Sequence, residues 1–299
     1  MFNINRLTEG SLNLLARDRQ PGHIINHFRL ERPFEVKSNF QGFSIRYVAA
    51  GTEFYQIGNR EYRVRSGQYL LTHPAVGHAD SMAEGAVSGL CIDLMPDLIA
   101  NAFAALRRPG DPLPDPVEGE PLFTDFMFSA AESKLGNLLG ELDRWFRGEE
   151  PSTGTIDPSL FFQLAELYAA DSFMTRDRLM AIPAVKDSTR KDMLRRLVQG
   201  RNFIDDCFKT DIQVADIARA ANISEFHFFR LFRQVFGTTP HRYLWEKRLQ
   251  VGRQLLNAGR HSISEIALES GFADVQSFSK AYKKFYGCPP STHLRISSF

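Results

Sequence analysis

The feature that most constrains this chain is an internal repeat within residues 211–295. Ile217-Ala218 in VADIARAANIS matches Ile266-Ala267 in ISEIALESGF at an offset of 49 residues. The offset then becomes 50: Phe228 matches Phe278, Arg230 matches Lys280, Phe232 matches Tyr282, Phe236-Gly237 matches Tyr286-Gly287, and Pro240 matches Pro290. Self-similarity often signals a solenoid, but a solenoid needs at least three stacked units. Two units with a tight turn inside each predict a paired helix-turn-helix.

Each copy reads as short helix, turn, longer helix. In the second, Ser262 followed by Glu265 is a capping-box start, and Ile263, Ile266 and Ala267 form the apolar stripe. Gly271 supplies a turn residue that tolerates positive φ. Asp274 caps the next helix, which is expected to bury Phe278, Ala281, Tyr282 and Phe285 at spacings of three and four before Gly287 and Pro289-Pro290 stop it. The first copy follows the same plan. Gln213 and Asp216 stand where the capping box was, Asn222 replaces the glycine, and Ser224 is the expected cap of a helix burying Phe228, Leu231, Phe232 and Val235.

The opposite faces of the two longer helices carry the chemistry. Phe226, Phe229, Arg230 and Arg233 share one; Gln276, Ser279, Lys280 and Lys283 share its equivalent. Guanidinium, ammonium, amide and hydroxyl groups are what reading base edges and phosphates requires. A solvated pair of helix faces is the plainer alternative, and the repeat argues against it. Residues 240–257 read as one helix of about 27 Å. Consecutive major grooves on one face of DNA lie about 34 Å apart, so such a rod with a reading helix at each end fits two of them.

Residues 191–295 resemble the DNA-binding domain of the AraC/XylS family of bacterial transcription regulators. The resemblance rests on Ile217-Ala218, SEFHFFRLFRQVFGTTPHRYL, RLQVGRQLL, ISEIALESGFAD and SFSKAYKKFYGCPPS. It implies base-reading positions at Phe226, Phe229 and Arg230 in the first unit and at Val275, Gln276, Ser279 and Lys280 in the second. Two aromatics on the first face point to thymine-methyl and sugar contacts, with Arg230 the main reader; Arg233, Lys283, Lys284 and Ser277 are candidates for phosphates. The resemblance also implies activation through contact with RNA polymerase, and the operator sequence does not transfer with it.

The net charge of +1 hides an asymmetry. Residues 186–299 hold 19 Lys and Arg against 11 Asp and Glu, a net of +8, whereas residues 1–185 hold 17 against 24, a net of −7. A basic half joined to an acidic half fits a nucleic-acid module joined to something that avoids nucleic acid. At 299 residues two domains are expected: 1–180, a linker at 181–190, and 191–299. No apolar run is long enough for a membrane span, the first residues lack a signal-peptide core, and Cys91, Cys207 and Cys288 read as reduced packing residues, so a cytoplasmic protein is expected.

The first 18 residues read as partly helical. From His23 to Met95, short β-favouring segments separated by turn residues predict a small barrel, with YQIGNREYRV a hairpin turning at Gly58-Asn59. VRSGQYLLTHPAVGHA is similar to the cupin-like sensor domains of AraC-type regulators, which implies a ligand pocket with His73 and His78 as candidate ligand-binding residues. No H-x-H pair with a following Glu appears; the hairpin offers only Glu53, Gln56 and Glu61, and His23 and His27 lack an acidic partner nearby, so no metal and no cofactor are expected. No nucleophile elbow, P-loop or dinucleotide fingerprint points to an enzyme.

Beyond the barrel a short helix is expected over residues 96–107, a proline-rich loop over RRPGDPLPDPVEGEPL, a helix over residues 123–146, another over residues 160–174, and a linker region over residues 171–189. Leu135, Leu138, Leu142 and Trp145 are more apolar than a solvent-facing helix needs, and a homodimer through them is expected; the alternative is that these helices only cover the barrel. The fold class is therefore α+β: an N-terminal cupin-like β-barrel with a helical hairpin, and a C-terminal all-α double helix-turn-helix domain. The expected function is sequence-specific DNA binding controlled by a small-molecule effector. The alternatives are control by a partner protein, or a metal-dependent cupin enzyme fused to a DNA-binding domain.

Overall fold

Alternating burial along the strands of the N-terminal half builds two sheets. The computed structural model describes residues 2–9, 22–39, 42–58, 60–74, 78–106, 126–148 and 157–292. The strands are β1 (Phe2–Leu7), β2 (His23–Leu30), β3 (Phe34–Asn39), β4 (Phe43–Ala50), β5 (Thr52–Ile57), β6 (Arg60–Arg65), β7 (Gln68–Thr72), β8 (His78–Ala83), β9 (Val87–Leu94) and β10 (Phe126–Ser129). They form a six-stranded sheet ordered β1-β2-β9-β4-β7-β10 and a four-stranded sheet ordered β3-β8-β5-β6. The expected single barrel is thus two sheets among the described residues, in keeping with a cupin-like jelly roll. The β5–β6 hairpin is present, with Gly58 at φ 55°; Asn59 lies outside the described residues.

Two corrections concern strands read as helix. Phe2–Leu7 pairs in parallel with β2, and Phe126–Ser129 pairs antiparallel with β7. The expected helix over residues 123–146 therefore starts only at Lys134. Helix α1 is Pro96–Leu106, α2 is Lys134–Arg147 and α3 is Ser159–Met180. The proline-rich loop lies outside the described residues.

One apolar cluster lies between the six-stranded sheet and these helices, built on Phe43, Ile45, Tyr69, Leu90 and Ile92 from the strands and Leu135, Leu139, Leu142, Phe146, Phe161 and Leu164 from the helices. This corrects the dimer face expected on α2: Leu135 and Leu142 are core, Leu138 is packed against it, and Trp145 is exposed. A hydrogen-bond network fixes the helices. The Tyr69 hydroxyl donates to Asp171 Oδ2 at 2.5 Å and shares a 2.6 Å bond with Ser133 Oγ, which also accepts the Gly136 N–H as the cap of α2. A second cluster, including Phe28, Leu30, Val48, Tyr55, Val64, Leu70 and Val87, fills the space between the two sheets.

The chain divides into compact units Met1–Arg176 and Asp177–Phe299. Residues 171–180, read as part of a linker region, are helical within α3. The next helix, α4 (Asp187–Cys207), already includes residues 187–190. The C-terminal unit continues with α5 (Val214–Ala220), α6 (Glu225–Phe236), α7 (Pro240–Ala258), α8 (Ile263–Glu269) and α9 (Val275–Tyr286), and a further helical turn opens at Pro290. Helices α5–α6 and α8–α9 are the two repeat units.

The repeat extends further back than the sequence comparison reached. The Phe228 ring of α6 lies against Gly200 of α4, where an added Cβ would sit 2.5 Å from a ring carbon. The Phe278 ring of α9 lies against Gly252 of α7, where an added Cβ would sit 2.7 Å from one. Helix α4 thus serves the first unit as α7 serves the second.

Candidate nucleic-acid interface

Local hydrogen bonding sets both longer helices of the repeat. In the second unit Ser262 Oγ accepts the Glu265 N–H, and the Glu265 carboxylate accepts the Ser262 N–H at 2.8 Å, which holds that carboxyl below its usual range. The corresponding bond in the first unit runs from the Gln213 N–H to Asp216 at 3.0 Å. The turns use Gly271 at φ 86° and, at the equivalent place, Asn222 at φ 52°, a conformation that asparagine tolerates better than most side chains. Asp274 caps α9 by accepting the Ser277 N–H at 2.7 Å and the Ser277 hydroxyl at 2.9 Å, and these bonds lower its carboxyl from the usual value. Ser224 occupies the same place before α6 but its side chain makes no capping bond, contrary to expectation. Gly237 and Gly287 end the two helices in the left-handed region.

Burial then separates the faces. Phe228, Leu231, Phe232 and Val235 are buried on α6, and Phe278, Ala281 and Tyr282 on α9. Phe285, expected in the core, is 45% exposed. On the outer faces Phe226 is 82% and Phe229 40% exposed. Arg230, Arg233, Gln276, Ser277, Lys280, Lys283 and Lys284 are exposed, while Val275 and Ser279 are half-buried at the margin. The Ser277 hydroxyl is engaged by Asp274, so its backbone N–H and hydroxyl serve the cap.

Charge is distributed unevenly over the same unit. Asp192 holds Arg195 and Arg196, Asp216 holds Arg219, Glu246 holds Arg242, Asp205 holds Lys247 and Glu269 holds Lys209. Arg230, Arg233, Lys280, Lys283 and Lys284 carry no ion pair among the described residues. Two equivalent exposed faces therefore present unspent cations. Helix α7, with 19 residues, joins the units and is about 28 Å long. Thr239 caps it and Gly259 ends it.

In the N-terminal unit the expected ligand residues fare differently. The His73 ring meets the Phe43 ring edge-on at 4.9 Å, on the helix-covered side of the six-stranded sheet. His78 opens β8, and its side chain lies outside the described residues. His23 and His27 also face the helices. His23 Nδ1 accepts the Met95 N–H, and His27 Nε2 lies 3.3 Å from Asp143, an acidic partner 116 residues away. Asp143 also binds Arg147.

Sequence reasoning missed a polar constellation on the inner faces of the two sheets. Arg46 Nη2 donates to Asp93 Oδ1 at 3.0 Å, Ser44 donates to the same carboxylate, and Ser81 Oγ donates to Glu53 Oε1 at 2.6 Å. The available signal was the alternation of FSIRYVAA, which places Ser44, Arg46 and Val48 on one face and Ile45 and Tyr47 on the other.

Comparison with known proteins agrees with this division. Residues 217–296 match a family model described as a helix-turn-helix domain, and residues 36–139 match one described as an AraC-like ligand binding domain. A probable transcriptional regulator LumQ of Photobacterium leiognathi is 33% identical over 92 residues, 31% of this chain and 37% of that protein. The virulence regulon transcriptional activator VirF of Yersinia enterocolitica is 31% identical over 91 residues, 30% of this chain and 34% of that protein. The match thus spans about a third of the length of these curated relatives. A solved AraC-type DNA-binding domain from Chromobacterium violaceum is 28% identical, covering 35% of this chain and 94% of that one, with a TM-score of 0.33. Among the described residues no helix is long and apolar enough to cross a membrane.

Proposed function

The chain belongs to the AraC/XylS family of transcription regulators, and from that membership we propose that it binds DNA in a sequence-specific way under the control of a small molecule received by its N-terminal unit. The observation that carries the reading is the pair of equivalent faces on α6 and α9. Both are exposed and both hold cations without acidic partners, in a unit whose other bases are widely paired. Arg230 reads a base in one groove; Lys280 and Gln276 read bases in the next; Arg233, Lys283 and Lys284 hold phosphates. Phe226 and Phe229 meet thymine methyls and sugars.

A good bidentate contact discriminates between bases by about 1–3 kcal/mol. Arg230→Ala is therefore expected to lose roughly that discrimination at one half of the site, and Lys280→Ala a smaller amount at the other. Lys284→Ala is expected to weaken all sequences alike and to flatten the salt dependence by about one unit of slope. Binding measured across a library of single-base variants checks all three, and an unchanged base profile for Arg230→Ala rules out this assignment of the reading face.

The regulator is proposed to act as a homodimer in the cytoplasm and to activate through RNA polymerase. With Leu135 and Leu142 in the core, exposed Phe162 on α3 and Trp145 on α2 are among the apolar groups that remain for a partner copy. Sedimentation of the full chain at micromolar concentration is expected to show a dimer; a monomer removes this part of the proposal.

A further inference from the structure

The two repeat units share a second contact beside their glycine seats. Next to Gly200 stands Arg201, and next to Gly252 stands Arg253. The Arg201 guanidinium lies over the ring of Phe236, the last residue of α6, at 5.3 Å from the centroid. The Arg253 guanidinium lies over the ring of Tyr286, the last residue of α9, at 5.0 Å. Each longer helix of the repeat thus ends on an aromatic ring that meets a cation from its supporting helix. The contact is attractive because the face of the ring is electron-rich.

The first unit has more. A second guanidinium, that of Arg178 in the last turn of α3, lies over the Phe236 ring at 5.5 Å. Tyr286 meets no second guanidinium among the described residues. The Gln234 side chain of α6 donates to the Ala181 carbonyl at 2.7 Å. Lys284 holds the equivalent place on α9 and makes no such bond among the described residues. What distinguishes the first unit from the second is therefore one short stretch of chain ahead of α4.

Local chemistry explains why that stretch has bonds to offer. A helix leaves its last carbonyls without partners inside the helix, and Pro183, which has no N–H, cannot extend α3 to satisfy them. The carbonyls just past α3 turn to other donors. Ala181 accepts from Gln234 of α6, and Ile182 accepts from Arg190 Nε of α4 at 3.3 Å. Leu179 and Ile182 are buried, while Met180 and Val185 are exposed. Residues 177–186 all fall within the C-terminal unit. The segment is thus laid against that unit by one side, where a free linker would show no such division.

We propose that residues 177–186 are a strap that positions α6, with Arg178 and the Ala181 carbonyl as its positioning groups, and that α9 has no counterpart to it. The stretch expected to be linker is then part of the first reading unit. That the strap serves DNA reading rests on the regulatory reading above; its hold on α6 does not.

The first test is amide hydrogen exchange of the full chain without DNA, for the parent, Arg178→Met, Arg178→Lys and Gln234→Met. Methionine keeps the length of either side chain and removes the cation or the donor. Amides in the last turn of α6 are expected to exchange about 3- to 10-fold faster in each methionine variant, the size of effect that loss of one such contact gives. Those of α9 are expected to keep the parent rate. Arg178→Lys is expected to retain most of the protection, because an ammonium also binds the face of a ring. Unchanged exchange of α6 in both methionine variants, equal acceleration in α6 and α9, or a lysine variant no better than methionine overturns the proposal. The second test is footprinting on DNA that the parent protects at both halves. The methionine variants are expected to bind the half read by α6 about 3- to 10-fold more weakly and the half read by α9 as the parent does. Loss at both halves, or at neither, overturns the strap's part in reading. A parent that protects no particular sequence counts against the regulatory reading alone, and hydrogen exchange then decides the strap by itself.

Discussion

Arg46→Met is expected to destabilise the N-terminal unit by about 3–5 kcal/mol, the usual result of removing one partner from a buried ion pair. Arg46 is 3% exposed and its Asp93 partner is also buried. Burial, the largest single effect, pushes the guanidinium down, but Asp93 acting together with Cys91 and Tyr55 outweighs it and the net direction is upward. Without the arginine, Asp93 keeps only the Ser44 hydroxyl as a side-chain donor among the bonds described above, and a carboxylate so placed is costly. Arg46→Met combined with Asp93→Leu is expected to be less damaging than Arg46→Met alone, because no charge is then stranded. Urea denaturation of the parent, the two single variants and the double variant closes the cycle. Costs that simply add would show that the two residues are not coupled.

Phe278→Ala is the second large effect, at about 3–5 kcal/mol for a large aromatic cut back to a methyl group in a packed core. The ring is fully buried, meets Phe272 at 5.3 Å and Tyr282 at 5.4 Å between centroids, and rests on the backbone at Gly252. Its loss removes the support of α9, so stability and readout fall together. DNA protection is expected to be lost at the half of the site read by α9 and retained at the half read by α6; Phe228→Ala should give the mirror result. Chemical denaturation of the C-terminal transition, with footprinting of both variants, measures each part. Loss of both halves in either variant would mean that the two units do not read separately.

How far the residues alone carried depends on the range over which their partners lie. The caps at Ser262 and Asp274, the left-handed turn at Asn222 and the terminating glycines 237 and 287 were all legible, because every bond involved closes within a few positions. The buried and exposed faces of α6 followed from periodicity. Phe285 did not, since the same spacing that buries Val235 leaves its counterpart at the edge of the core. In the N-terminal unit local signals ran out sooner. Phe128 fits a three-and-four spacing with later leucines, which predicts helix over Phe126–Ser129, while pairing with Leu71 and Tyr69 makes this segment a strand. No local signal shows that a sheet lies beneath α2, so its apolar face taken alone predicts a second copy. The Arg46–Asp93 and Glu53–Ser81 contacts join residues 47 and 28 positions apart, beyond any spacing rule.

The glycine seats under Phe228 and Phe278 separate two requirements that a single helix usually has to reconcile. Orientation of each reading helix is set from below, by an aromatic ring bearing on bare backbone at Gly200 or Gly252. The recognition proposed above falls to the opposite face, to exposed residues such as Arg230, Gln276 and Lys280 that take no part in that contact. The outer residues can therefore be exchanged without tilting the helix, and either unit can be exchanged without the other. The domain has the construction of two cassettes in matching sockets, and on the proposed reading operator preference can be retargeted one groove at a time while the sockets stay as they are.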